Sequence, residues 1–258
     1  MLQKKCYMCD SEATSVEHVP PRNVFPEFKD AKENYRVNLI TVPSCDLHNG
    51  QKSQDDEFLM VSIAGIIGNN SIGYEHYNGK IQRAIKRSSY KLLEKAFLRR
   101  HLFRIEGENK FLDILWGTPD YKRLISCFTH IAYGIYRHHF ETNFQGTLKP
   151  YLGFLHTTDE NPKTFKEFIK HRAAIDLEGK VKHGENQGVF YYQFTDPDKF
   201  GIFLLHLCFY ENVNIYVSCQ PIDVEKPFDL GMELLNSGVH TIIRVGDKEY
   251  EFNKISES

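Results

Sequence analysis

The chain has 258 residues, 41% of them hydrophobic and 13% aromatic, with a net charge of −2 at pH 7. That is enough apolar material for a packed core, which excludes a disordered chain. The near-neutral balance excludes a surface committed as a whole to nucleic acid or to an anionic membrane, so charge has to be read locally. The length allows one large domain or a small module joined to a larger one.

Residues 1 to about 60 are polar and turn-rich and hold three of the six cysteines, Cys6, Cys9 and Cys45. No apolar run stands behind the lysines of MLQKKCYMCD, so no secretory leader is expected. ATSVEHV has the alternating, β-branched texture of a short strand, PPRNVFPEF forces an irregular loop, and RVNLITV reads as a second strand. From about Asp46 the pattern turns helical, with Leu47, Leu59 and Ile63 available for a core face. A unit of two strands and a helix buries too little apolar surface to stand without a cross-link. The uncharged stretch FLMVSIAGIIG is too short for a bilayer and reads as buried helix.

Residues 80–104, KIQRAIKRSSYKLLEKAFLRRHLFR, are helical in period and strongly basic. Lys80, Arg83, Lys86, Arg87, Lys91, Lys95, Arg99, Arg100 and Arg104 face a single acid, Glu94. PDYKRLISCFTHIAYGIYRHHF follows as a helix with Pro119 near its first turn and Leu124, Phe128, Ile131 and Ile135 on one apolar face. His138 and His139 are adjacent on that helix and point apart, which argues for packing rather than a shared ion. After about residue 150 the texture shifts to strands: GVFYYQF, FGIFLLHLCFY and NIYVSC, with ENVN as a hairpin turn, then HTIIRV and KEYEF flanking GD. Cys127, Cys208 and Cys219 sit singly in apolar patterns, as small buried hydrophobes do. This cysteine usage fits a reducing cytoplasm better than a disulfide framework. The expected fold class is α+β: a short cross-linked module over residues 1–62, a helical middle and a β-rich region over 150–253. Residues 63–258 form an accessory region without a readable role.

The cross-link is legible. CYMC sets Cys6 and Cys9 at the spacing of a zinc-binding turn, and CDLH repeats that spacing with Cys45 and His48. Two such pairs make a Cys3His shell for Zn²⁺, and a filled four-ligand shell is structural because a catalytic zinc keeps a position open. The remaining polar residues are VEHVPPR, with Glu17 and His18 side by side, Asn38 in VNLITVPSC, and Asn49 directly after His48. Taken alone, His18 reads as a loop histidine and Asn49 as a helix cap or turn residue.

Together with the zinc pairs, these residues resemble the HNH endonucleases, the ββα-metal nucleases. The resemblance covers residues 4 to about 60 and rests on Cys6 and Cys9, Glu17 and His18, Asn38, Cys45 and His48, Asn49 and Lys52. His48 stands where many members carry a second cysteine, so Asn49 matches the family's third residue; Glu17 stands where aspartate is more common. The resemblance implies hydrolysis of phosphodiesters, in DNA more than RNA, with His18 as general base, its imidazole having an ordinary pKa near 6.5. Asn38 would brace the loop that carries His18. Glu17 and Asn49 would offer hard oxygen ligands to one catalytic Mg²⁺ or Mn²⁺. It also implies a role in prokaryotic restriction or phage defence.

Asp56, seven residues after Asn49, falls on the same helix face; it reads either as an outer-shell group or, in SQDDE, as a solvated charge. Acidic residues outnumber lysines and arginines within the module, so nucleic-acid affinity is expected from Lys86, Arg87 and Lys91 of the basic run, with Arg22 and Lys52 as further phosphate contacts. The C-terminal region is a candidate dimer surface. The rival reading is a zinc-stabilised nucleic-acid- or protein-binding module without catalysis, which would have no need of Glu17, His18, Asn38 and Asn49 together.

Overall fold

Alternation in ATSVEHV produces strand β1 (Ser15–His18), which pairs antiparallel with β2 (Thr41–Ser44) in the register Ser15↔Ser44, Glu17↔Val42 and His18↔Thr41. The computed structural model describes residues 5–9, 11–50, 53–107, 110–155, 160–199, 201–222, 228–245 and 248–255. Over these the chain is α+β, helices mixed with antiparallel sheets. It divides into two compact units, the first comprising residues 1–144, 184–191 and 208–213, the second residues 145–183, 192–207 and 214–258.

In the first unit, the loop between β1 and β2 begins with Val19–Pro20 and carries a 3₁₀ turn at Arg22–Val24. RVNLITV supplies a strand only from Thr41, because Asn38 takes a left-handed backbone (φ 50°) that interrupts extension. Helices α1 (Asp46–Gly50) and α2 (Ser53–Ala64) follow. Phe58, Leu59, Met60, Val61, Ile63 and Ala64 of α2 are all buried, the signature of a helix covered on every side. It packs against the 3₁₀ turn, against α5 (Lys91–Ala96) and against α6 (Tyr121–Phe140). Leu47, expected in the core, is instead 61% exposed.

The basic run is not one helix. After α3 (Ser71–His76) come a π-helical segment (Tyr77–Ile81), α4 (Gln82–Arg87) and α5; Ser89 (φ 49°) and Tyr90 (φ 67°) break the helix between α4 and α5. From Phe97 the backbone turns into β3 (Phe97–Gly107), paired antiparallel with β4 (Lys110–Pro119). Pro119 therefore ends a strand, and Asp120 caps α6 by accepting from the Arg123 N–H. Leu124, Phe128, Ile131 and Ile135 form the expected buried stripe of α6. Gly134 meets the β1–β2 loop so closely that a Cβ there would lie 2.7 Å from both methyls of Val19.

The second unit holds β5 (Gly146–Leu152), α7 (Glu160–Asp176), β6 (Phe190–Phe194), β7 (Phe203–Phe209), β8 (Val213–Pro221), α8 (Phe228–Asn236), β9 (Thr241–Val245) and β10 (Lys248–Phe252), some of whose end residues count with the first unit. A four-stranded sheet runs in the order β5–β8–β7–β6, and β9 and β10 form a separate hairpin. The strands expected here are present, with α7 and α8 among them. The β7–β8 turn places Tyr210 (φ 48°) and Glu211 (φ 61°) in the left-handed region, as a tight hairpin turn with matching twist requires. Among the described residues no helix is long and apolar enough to cross a membrane.

Candidate metal centre and active site

The knuckle is built from backbone pairing before any metal is considered. Cys6 N–H donates to the Ser11 carbonyl, folding CYMC into a turn, and Tyr7 N–H donates to the Pro43 carbonyl (both 2.9 Å), which docks that turn on β2. Cys45 follows β2 directly, and α1 brings His48 round beside it, with Asn49 N–H bonded to the Cys45 carbonyl at 2.9 Å. Asn143, just beyond α6, donates to the Cys6 carbonyl at 2.8 Å and anchors the turn from behind.

These contacts bring Cys6, Cys9, Cys45 and His48 together, with ligand atoms within 4.8 Å of one another. His48 Nδ1 lies 3.4, 3.6 and 3.3 Å from the sulfurs of Cys6, Cys9 and Cys45, and the Cys9 and Cys45 sulfurs are 3.9 Å apart. A tetrahedron with zinc–sulfur and zinc–nitrogen bonds of ordinary length has edges of about 3.8 Å and about 3.6 Å. The cluster fits a metal ion such as zinc, in donor type and in geometry. Burial first holds the Cys6 thiol above its ordinary pKa, while a hydrogen bond with Ser11 lowers that of Cys9. A divalent cation takes both as thiolates and releases their protons.

Glu17 and His18 leave β1 on opposite faces, as neighbours on a strand must. Glu17 is buried, and the hydroxyl of the fully buried Tyr7 donates to its Oε1 at 3.4 Å. Burial and then the Glu17 carboxylate push the Tyr7 phenol far above its ordinary pKa, so it remains a donor. His18 is half-buried, and among the described residues its imidazole has no hydrogen-bond partner. Burial lowers its pKa, the Arg22 guanidinium lowers it further and Glu17 opposes both. The ring is therefore neutral at pH 7, the state a general base needs.

Asn49 reaches back to β1, its Nδ2 donating to Ser15 Oγ at 2.8 Å. Ser15 and Glu17 are two residues apart, so Asn49 approaches the strand on the same face as Glu17. Thr14 Oγ1 donates to Asp46 Oδ1 at 2.6 Å and fixes α1 against the same strand. Asn38 is exposed, and among the described residues its side chain makes no hydrogen bond to the loop carrying His18; that loop is held by Val19 N–H bonded to the Ile40 carbonyl. Arg22 is exposed beside His18, and Lys52 lies outside the described residues.

Two of the following features are not legible in the sequence, and the third, the setting of Asp56, lies open there between two readings. Tyr7 carries no signal there, and no local pattern predicts its contact ten residues on. Asp56 is half-buried and lines a small cleft with Pro21, Asp55, Leu59, Cys127, His130 and Ile131, so it is not a fully solvated charge. Arg123 of α6 holds Asp55 (Nε to Oδ1, 2.6 Å) and stacks over Phe58 at 4.2 Å, a link no sequence spacing could signal.

The cations of the basic run whose side chains are described divide into two groups. Lys80 lies 3.6 Å from Glu27, and Arg83 grips Asp30 with two hydrogen bonds of 2.5 and 2.7 Å. Both acids belong to the β1–β2 loop, so these cations neutralise the module's own charge; a hydrogen bond from Lys29, with Lys80 and Arg36 nearby, holds Glu27 below the usual carboxylate range, and the hydrogen bonds from Arg83 do the same for Asp30. Lys86, Arg87 and Lys91 are exposed. Comparison with protein-family models, with curated proteins and with solved structures returns no match.

Proposed function

We propose that this chain is a metal-dependent endonuclease of the HNH kind, hydrolysing phosphodiester bonds in nucleic acid, DNA in preference to RNA. The observation that carries the reading is a ββα unit, stapled by a Cys3His cluster, whose first strand ends in a buried carboxylate and a neutral imidazole. His18 would take the proton from the attacking water. Glu17, with Asn49 approaching on the same face of β1, would hold Mg²⁺ or Mn²⁺, hard cations that prefer oxygen. Such an ion, when bound, polarises the scissile phosphate and relieves charge on the leaving 3′ oxygen. Arg22, next to His18, and the exposed Lys86, Arg87 and Lys91 are the cations available to phosphates. Asn38 would act through the loop backbone, being placed just before the Ile40 carbonyl that holds Val19.

The test is incubation of metal-stripped and reloaded protein with plasmid and with structured RNA, in Mg²⁺, in Mn²⁺ and in chelator. Cleavage of plasmid that depends on either cation supports the reading, and absence of cleavage of both substrates in every metal overturns it. Two observations favour a non-catalytic zinc-stabilised binding module instead: the Asn49 amide is already engaged by Ser15, and Glu17 and His18 leave β1 on opposite faces. That reading expects nucleic-acid or protein binding with no cleavage in the same assay.

A further inference from the structure

We infer that Tyr7 is a positioning residue through which the Cys3His centre sets the affinity of the second, oxygen-ligated ion site at Glu17. This rests on the nuclease reading above and adds a coupling between its two metals. Tyr7 lies inside the knuckle, one residue after Cys6 and two before Cys9, so the turn that the metal closes also fixes where the Tyr7 ring sits. Its backbone is held on β2 through the Pro43 carbonyl, and its ring is fully buried. The side chain's one polar atom meets Glu17 Oε1, across ten residues of chain. A carboxylate fixed at one oxygen has little freedom in where it presents the other, and a glutamate needs such a constraint more than a shorter aspartate does. Loosening the knuckle therefore loosens Glu17, although Glu17 is not one of the four residues of the cluster.

The experiment uses the full chain with zinc content measured by elemental analysis, folding by thermal melting, and Mn²⁺ binding by the loss of free-ion electron paramagnetic resonance signal. Tyr7→Phe removes the hydroxyl and keeps the ring. The expected result is one zinc per chain retained and Mn²⁺ affinity weakened about tenfold, the scale of one hydrogen bond to a charged group. Tyr7→Phe should add nothing further in a Glu17→Gln background. Wild-type Mn²⁺ affinity in a zinc-loaded Tyr7→Phe protein, or additive losses in the double variant, overturns the inference and leaves the nuclease reading standing. A wild-type chain that binds no Mn²⁺ overturns both. If Tyr7→Phe loses zinc, the variant reloaded to one zinc per chain carries the test. Weakened Mn²⁺ binding by the reloaded protein supports the coupling, and wild-type binding overturns it.

Discussion

His76 is fully buried at the end of α3, its Nδ1 2.9 Å from the Tyr210 hydroxyl, which in turn donates to the Val24 carbonyl. With the tyrosine proton given to Val24, Nδ1–H is the donor to the tyrosine oxygen, and the ring is neutral. Burial, then Lys80 and Arg36, lower its pKa to about 3, with Asp30 and Glu27 opposing. Because the folded value lies below the unfolded value near 6.5, the unfolded chain gains a proton that the folded chain refuses as pH falls below about 6.5. Stability associated with this residue is full above that pH and declines toward pH 3. Between pH 7 and pH 4.5 the decline should be roughly 2 kcal/mol, seen as a steeper acid loss in wild type than in His76→Gln by denaturant melts. Equal slopes would mean that the ring is charged or exposed in the folded state.

Among the elements, α6 determines where the β1–β2 loop can lie. Gly134→Ala would drive a methyl to 2.7 Å from the stiff, β-branched Val19, the residue after His18. The expected cost is about 1–3 kcal/mol of stability, read as a lower melting temperature. A neutral outcome would show that the loop yields freely. On α4 and α5, changing Lys86, Arg87 and Lys91 to glutamate should weaken DNA binding while leaving the melting temperature near wild type. Each phosphate interaction removed in this way should also flatten the salt dependence of log K by about 0.9. The zinc pairs are legible in the sequence because ligand spacing is local chemistry, and the stripe of α6 because one face of one helix carries it. The 97–107 segment is not, since its strand state depends on pairing with 110–119, and an arginine-rich run with scattered apolar residues satisfies both periods. The Tyr7–Glu17 hydrogen bond is hidden for the same reason: it follows from docking the knuckle on Pro43, which no spacing within CYMC reveals.

Taken as a whole, the molecule places its candidate chemistry in a segment that cannot support itself by burial alone, within a larger unit whose α2 and α6 cover it. Zinc, bound with an apparent free energy of about 10–16 kcal/mol in small structural sites, would be the dominant local cross-link. Elemental analysis should find one zinc per chain, and a strong chelator should remove it with a large drop in melting temperature; a zinc-free, equally stable protein would remove the scaffold on which the proposed site stands. The central claim concerns His18, and plasmid cleavage under Mg²⁺ or Mn²⁺ by wild type and His18→Ala, at matched zinc content, tests it most directly. If His18 is the general base, wild type cuts only with the cation and the variant loses at least about a hundredfold in rate, the usual contribution of such a group. Equal cutting by the two proteins, or none by either, would contradict it.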